Sequence, residues 1–401
     1  NDKKYLTSVP SSYATTSYVD NQIKASVNGT AGVPNYVITE AQDIAEKVIE
    51  TRNAYSLVIG AMSDLHTTGT DSSATGVLHA WQGMNEIDKL TPIDLATICG
   101  DVVVVKMDDT YKDGLRYVRS CFNEVTKNIP LIHMQGNHDE LSSDSTEEGR
   151  QKYFRYIGAN NQDTVTDFSN RYRNYGYKDF DDLRFRVIYL NSADCSDGDI
   201  TSDCHITSAQ YNWFINKALD FSSKEEPNDW HFIVMNHHPL NWNAYMTNLQ
   251  SILKAHKKRT SGSFTVNGET ISYNFTNATQ NFVCHIHGHL HNFRTDWYDD
   301  VLSLTIPNAC LGRNNEYGTY SGYNDQTKLN FGDIDENGNQ RQFNKTSNTA
   351  NDTAFVTLVI DSRVNNMIYA YCYGAGIHRE VDLVSKELTY ISKEVIDVPD
   401  D

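Results

Sequence analysis

Six short apolar runs, each ending in a polar cluster, constrain this chain more than any other feature. Ser56–Met62 leads into Ser63-Asp64-Leu65-His66, and Leu95–Cys99 into Gly100-Asp101. Ile129–Met134 precedes Gly136-Asn137-His138-Asp139, and Phe185–Leu190 precedes Asn191. Phe232–Met235 ends at Asn236-His237-His238-Pro239, and Phe282–Ile286 at Gly288-His289-Leu290-His291. Apolar runs of this length between breakers predict buried strands. Helical stretches at Ala209–Leu219 and around Tyr111–Val125 separate some of them, which predicts a largely parallel α/β core. In such sheets ligands bind beyond the carboxyl ends of the strands. Nearly every His, Asp and Asn cluster of this sequence falls at such an end.

The flanks read differently. Residues 1–35 are rich in Ser, Thr, Asn and Tyr and predict a linker or stalk. Thr39 with Gln42 has the pattern of a capping box, opening a helix with Ile44, Ala45, Val48 and Ile49 on one face. Residues 311–353 are rich in Gly, Asn and Asp; a loop that long is functional or mobile. Ala354–Ile360 and Met367–Tyr373 alternate and predict a terminal hairpin. The expected organisation is therefore a polar linker and helix over 1–54, a core over 55–310 that carries the polar strand ends, and a long loop and hairpin completing it over 311–401.

The side chains at the strand ends are Asp64, His66, Asp101, Asn137, His138, His237, His289 and His291. Carboxylate, imidazole and amide donors suit manganese, iron or zinc. Two such ions about 3.5–4 Å apart can clamp the attacking and leaving oxygens of an in-line displacement and activate a bridging water. Eight polar groups buried at strand ends without metal would be costly.

This ordered set resembles the calcineurin-like metallophosphoesterases. Their blocks run Asp-x-His, Gly-Asp, Gly-Asn-His-Asp/Glu, His and Gly-His-x-His. Here they stand, in order, as Asp64-Leu65-His66, Gly100-Asp101, Gly136-Asn137-His138-Asp139, His237 and Gly288-His289-Leu290-His291. The resemblance implies an α/β, four-layer sandwich of two mixed β-sheets flanked by helices. It implies hydrolysis of a phosphomonoester or phosphodiester by a metal-bridging hydroxide. It also implies that Asp64, His66 and His291 hold one ion, that Asn137, His237 and His289 hold the other, and that Asp101 bridges. His138 would bind the phosphate or protonate the leaving group, with Asp139 orienting its ring. His237 is chosen over His238 by its spacing to Pro239, and the two side chains are expected on opposite faces of a strand end. Purple acid phosphatases carry a Tyr ligand three residues after the bridging Asp; position 104 here is Val.

Charge and cysteines narrow the classes. With 34 Lys and Arg against 52 Asp and Glu, the net charge is −18, the wrong sign for gripping nucleic acid. Bound cations would supply the local positive charge a phosphate needs. No Cys-x-x-Cys pair suggests a thiolate zinc site; Cys195 and Cys204 flank a polar loop and form a disulfide or remain free thiols. No apolar run is long enough to span a membrane. A small phosphate ester is the expected partner, and a secreted or cell-surface location is favoured over a cytoplasmic one. Two other readings stand beside the general one: a narrower cyclic-nucleotide or nucleotide-sugar hydrolase, and a non-catalytic surface or phage-tail-associated binding module that keeps the metal site.

Overall fold

The computed structural model describes residues 32–69, 72–103, 109–125, 129–139, 153, 156–157, 167–168, 174–194, 204–309, 328–334, 340–344, 352–391 and 393. Val104, Cys195, the polar loop that follows it over 196–203 and most of 311–353 lie outside them.

The apolar runs become strands β1 (Leu57–Met62), β2 (Leu95–Ile98), β3 (Leu131–His133), β6 (Phe185–Tyr189), β7 (His231–Met235) and β10 (Asn281–His287). They divide between two seven-stranded sheets. In the first sheet β1, β2 and β3 are parallel, and β15 (Ala354–Asp361) pairs antiparallel with β1. Strands β16 (Met367–Gly374), β17 (His378–Asp382) and β18 (Leu388–Ile391) extend it outward. In the second, β6, β7, β10 and β12 (Val301–Thr305) are parallel. Antiparallel strands β4 (Asp167–Phe168) and β5 (Gly176–Phe180) close one edge, and β11 (Thr295–Tyr298) the other.

Burial explains the layering. Leu57, Ile59 and Ala61 of β1 face Val187, Ile233 and Ile286 across the gap between the sheets, while Val58 and Met62 face outward. That alternation is the period of a strand with both faces covered. Helices α1 (Asn35–Thr51), α2 (Ser72–Leu90) and α3 (Asp109–Val125) cover the outer face of the first sheet around the buried Trp81. Helices α4 (Ser208–Trp213) and α5 (Ala244–Lys258), with the hairpin β8 (Ser261–Val266) and β9 (Glu269–Asn274), cover the second. The result is helix, sheet, sheet, helix: the four-layer sandwich.

The expected capping box is corrected. α1 starts at Asn35 behind Pro34, with no side-chain cap, and Thr39 bonds back to the Asn35 carbonyl from inside the first turn at 3.0 Å. The stretch 67–90 contains α2, and 240–280 contains α5 and the β8–β9 hairpin. No helix among the described residues is long and apolar enough to cross a membrane.

Candidate metal centre

The parallel strands end level with one another. Met62 pairs with Ile98, and Ile98 with His133; Tyr189 pairs with Met235, and Met235 with Ile286. Each polar motif begins within a few residues of those ends, so register alone delivers the motifs to one edge of both sheets. Backbone bonds then lace the turns together. The Asp64 N–H donates to the Gly100 carbonyl at 3.0 Å, His66 N–H to the Asp101 carbonyl at 3.1 Å, and Gly288 N–H to the His237 carbonyl at 3.0 Å.

The turns are tight. Asp64, His66, Asp101, His289 and His291 all have positive φ, between 42° and 70°. Non-glycine residues adopt this region at a cost and persist there when the surroundings hold them. Gly100, at φ +93°, has a further constraint: a Cβ there would lie 2.4 Å from His237 Nδ1. The glycine of the Gly-Asp motif is what allows the His237 ring to sit against the β2 turn.

Two donor groups result. One ring or carboxylate atom each from Asp64, His66, Asp101 and His291 lie within 4.8 Å of one another, and so do one each from His237, His238 and His289. His66 Nε2 and His291 Nε2 are 2.9 Å apart, and His291 Nε2 lies 3.3 Å from Asp64 Oδ1. Asn137 Oδ1 is 3.1 Å from His237 Nε2 and 3.0 Å from His289 Nδ1. Asp101 Oδ2 reaches both groups, 3.2 Å from His237 Nε2 and 3.8 Å from His66 Nε2. All seven expected ligand residues are therefore together, with Asp101 between the two clusters.

The electrostatics fit cations. Burial, then the neighbouring His291 and His138, hold His66 neutral by lowering it to about 3. Burial does the same to His289, to about 3. Neutral imidazoles are the form that binds metal. Against its burial, His291 and His237 lower Asp64 to about 2. Asp101 is likewise held well below the usual carboxylate range, His237 being the chief partner against burial. Burial disfavours a charged His237, yet Asp101 and Asp64 raise it to about 9. In this way the surplus negative charge of the two carboxylates holds a proton that a bound cation would replace. No Lys or Arg among the described residues ion-pairs with Asp64 or Asp101.

Hydrogen bonds set the two adjacent histidines apart. The His237 Nδ1–H donates to the Cys99 carbonyl at 2.7 Å, so a cation that displaces the proton from Nε2 meets a lone pair facing Asn137 and Asp101. Such a backbone partner fixes the ligating tautomer. Ser192 Oγ accepts from the N–H groups of both His237 and His238 at 3.3 Å and lies 2.8 Å from His238 Nδ1. With two donors already on its oxygen, the hydroxyl hydrogen goes to Nδ1, so His238 carries its proton on Nε2. That nitrogen is buried without a hydrogen-bond partner among the described residues.

The expectation that the two rings point to opposite faces is corrected. They lie 4.8 Å apart and both approach His289, at 5.1 and 4.6 Å, because β7 stops at Met235 and residues 236–239 have left strand geometry. Ser192 is a functional candidate that motif reading passed over, and His238 one that it weighed and set behind His237. Asn236 supports the turn, donating to the His238 carbonyl at 2.7 Å and contacting His285 Nε2 at 2.5 Å.

His138 stands beside His66, ring centroids 4.8 Å apart, and its N–H donates to Asp101 Oδ1 at 2.8 Å. Asp139 has a bracing role that was not expected. Its Oδ1 accepts from Val102 and Val103 N–H at 2.9 and 3.1 Å, and its Oδ2 from Gly136 N–H at 2.9 Å. It thus ties the β2 and β3 turns to each other. Burial and then the Asp101 charge push Asp139 up to about 8, while those amide donors pull the other way.

Solved structures similar to this chain include a dimetal phosphatase from Danio rerio, 10% identical with a TM-score of 0.40, covering 79% of this chain and 96% of that one. A purple acid phosphatase from yellow lupin seeds is 13% identical with a TM-score of 0.39, covering 84% of this chain and 53% of that one. An archaeal phosphodiesterase is 16% identical with a TM-score of 0.31, covering 72% and 99%. A search of curated protein sequences finds no significant match. The profile of the calcineurin-like phosphoesterase family matches residues 57–293, which run from β1 to just beyond His291 and hold every residue of the two donor clusters. The chain belongs to that family and is a metal-dependent phosphoesterase.

Proposed function

We propose that this protein hydrolyses a small phosphomonoester or phosphodiester at a dinuclear centre, with Asp64, His66 and His291 holding one divalent ion, Asn137, His237 and His289 the other, and Asp101 bridging. The observation that carries the reading is Asp101: one carboxylate, held by the His138 N–H, faces both donor clusters at once. Manganese, iron and zinc all suit this mixture of carboxylate, imidazole and amide donors. When bound, the ions supply an activated water and neutralise charge on the phosphoryl group.

The chain's own residues do the rest. The positive-φ turns and the Asp139 brace fix the donors before substrate arrives, so little reorganisation is needed. His138 donates a proton to the departing alkoxide. The Nε2–H of His238, without a partner among the described residues, donates to a phosphoryl oxygen.

The test is turnover of p-nitrophenyl phosphate and of its diester by manganese-loaded protein. Hydrolysis of at least one, abolished by chelation and by Asp101→Asn, is expected. A metal-loaded protein inert toward both esters would favour the binding-module reading.

A further inference from the structure

Beside this centre stands a tryptophan with an unusual placement. Trp242 is 44% exposed, one of four large hydrophobic side chains among the described residues that remain so accessible. Its ring meets His289 edge to face, centroids 4.2 Å apart and planes at 79°, and lies 6.2 Å from His238. Its backbone is pinned on both sides. Its N–H closes a turn onto the Pro239 carbonyl at 3.1 Å. The next residue, Asn243, caps α5 by accepting from Met246 N–H at 3.2 Å and donates to the Cys204 carbonyl at 2.8 Å. The indole therefore projects from a backbone held on both sides, between the metal-ligand turn and a helix N-terminus, with its ring against His289. A rigid aromatic anchor gives contact area at little entropic cost.

We propose that Trp242 is the wall of a specificity subsite that takes a flat aromatic group attached to the phosphate, so that the preferred substrates are phosphate esters bearing a ring. This rests on the phosphoesterase reading above. The charge balance points the same way. In a chain of net charge −18, with no Lys or Arg among the described residues paired to the site carboxylates, bound ions can hold the phosphate, but discrimination among esters must come from the rest of the substrate. Two sources provide such a ring: a simple aryl ester, with the ring at the ester oxygen, and a nucleotide, with the base one sugar away.

The experiment measures binding to manganese-loaded protein by calorimetry and by competition. Phenylphosphonate is compared with methylphosphonate, and adenosine 5′-monophosphate with ribose 5-phosphate, for the parent, Trp242→Phe and Trp242→Leu. Stacking of one ring corresponds to about a tenfold preference. The parent is expected to prefer the ring-bearing member of at least one pair by about that factor. Trp242→Phe keeps part of the preference; Trp242→Leu, which still packs against His289, brings the ratio to about one. The pair that shows the preference identifies the source of the ring. Equal affinities in the parent, or a preference that survives Trp242→Leu, overturn the subsite while leaving the phosphoesterase reading in place. A metal-loaded parent that binds none of the four compounds overturns both.

Discussion

Replacing Gly100 with alanine tests how the β2 turn shapes the centre. A Cβ at Gly100 would stand 2.4 Å from His237 Nδ1, where ordinary contact begins near 3.4 Å, so the ring must retreat by about 1 Å. That movement breaks the 2.7 Å bond from Nδ1 to the Cys99 carbonyl, worth about 1 kcal/mol. Placing a Cβ on a residue at φ +93° adds about 1–3 kcal/mol of backbone strain. The sum is about 2–4 kcal/mol of stability. Loss of the partner that fixes the His237 tautomer should also weaken manganese binding about 10–100-fold. Gly268 supplies the control, because it also has positive φ, +80°, but no described residue lies within 4 Å of its Cβ position. Gly268→Ala should therefore carry the strain alone. Melting of the metal-free proteins and manganese titration separate the two effects. Gly100→Ala is expected to melt lower than Gly268→Ala and, alone of the two, to bind metal weakly. Equal metal affinity in Gly100→Ala and the parent would refute the argument.

Three further outcomes follow from the same geometry. His138→Ala should lower kcat by about 10²–10⁴ on alkyl esters and much less on nitrophenyl esters, whose phenolate leaves without a proton, with metal content equal to the parent; loss of metal would make His138 a ligand. Burial and then Arg259 lower His256 to about 3 in the core behind the second sheet. A depressed histidine contributes stability that is complete above its unfolded value of about 6.5 and is lost as pH falls toward 3. Melting temperatures at pH 7 and 5 should therefore drop less for His256→Phe than for the parent, and an equal drop would contradict this. Iron-loaded protein should show no phenolate-to-iron absorption band, since position 104 is Val; a visible spectrum with such a band would change the ligand set.

The ligand residues were legible because the two signals that mark them coincide. Each apolar run is a strand buried on both faces, so its hydrophobicity is continuous, and each ends in residues that would be costly to bury without a ligand. Register then needed no foresight: level strand ends bring Asp64, Asp101, Asn137, His237 and His289 together. Other features were less legible for physical reasons. In α2, Gly76 and Gly83 lower helix propensity, yet Val77, Ala80, Trp81, Met84 and Ile87 form a helical stripe that packs on the first sheet, and tertiary burial decides. α1 begins at Asn35, not near Thr39, because the Val37, Ile38 and Ala41 face is buried against the core. The placement of His238 depends on where β7 stops, and boundaries are the weakest part of a pattern reading. Ser192 and Trp242 carry no motif; only the fold brings them to the histidines.

In the proposed function two ions and one bridging carboxylate make the catalyst. Stepwise addition of manganese to metal-free protein, following bound ions per chain and hydrolysis of bis-p-nitrophenyl phosphate or its monoester together, tests it most directly. Saturation at two ions per chain, turnover that rises with the second ion, and loss of both in Asp101→Asn are expected. Saturation at a single ion with full turnover, or two ions retained in Asp101→Asn, would contradict it.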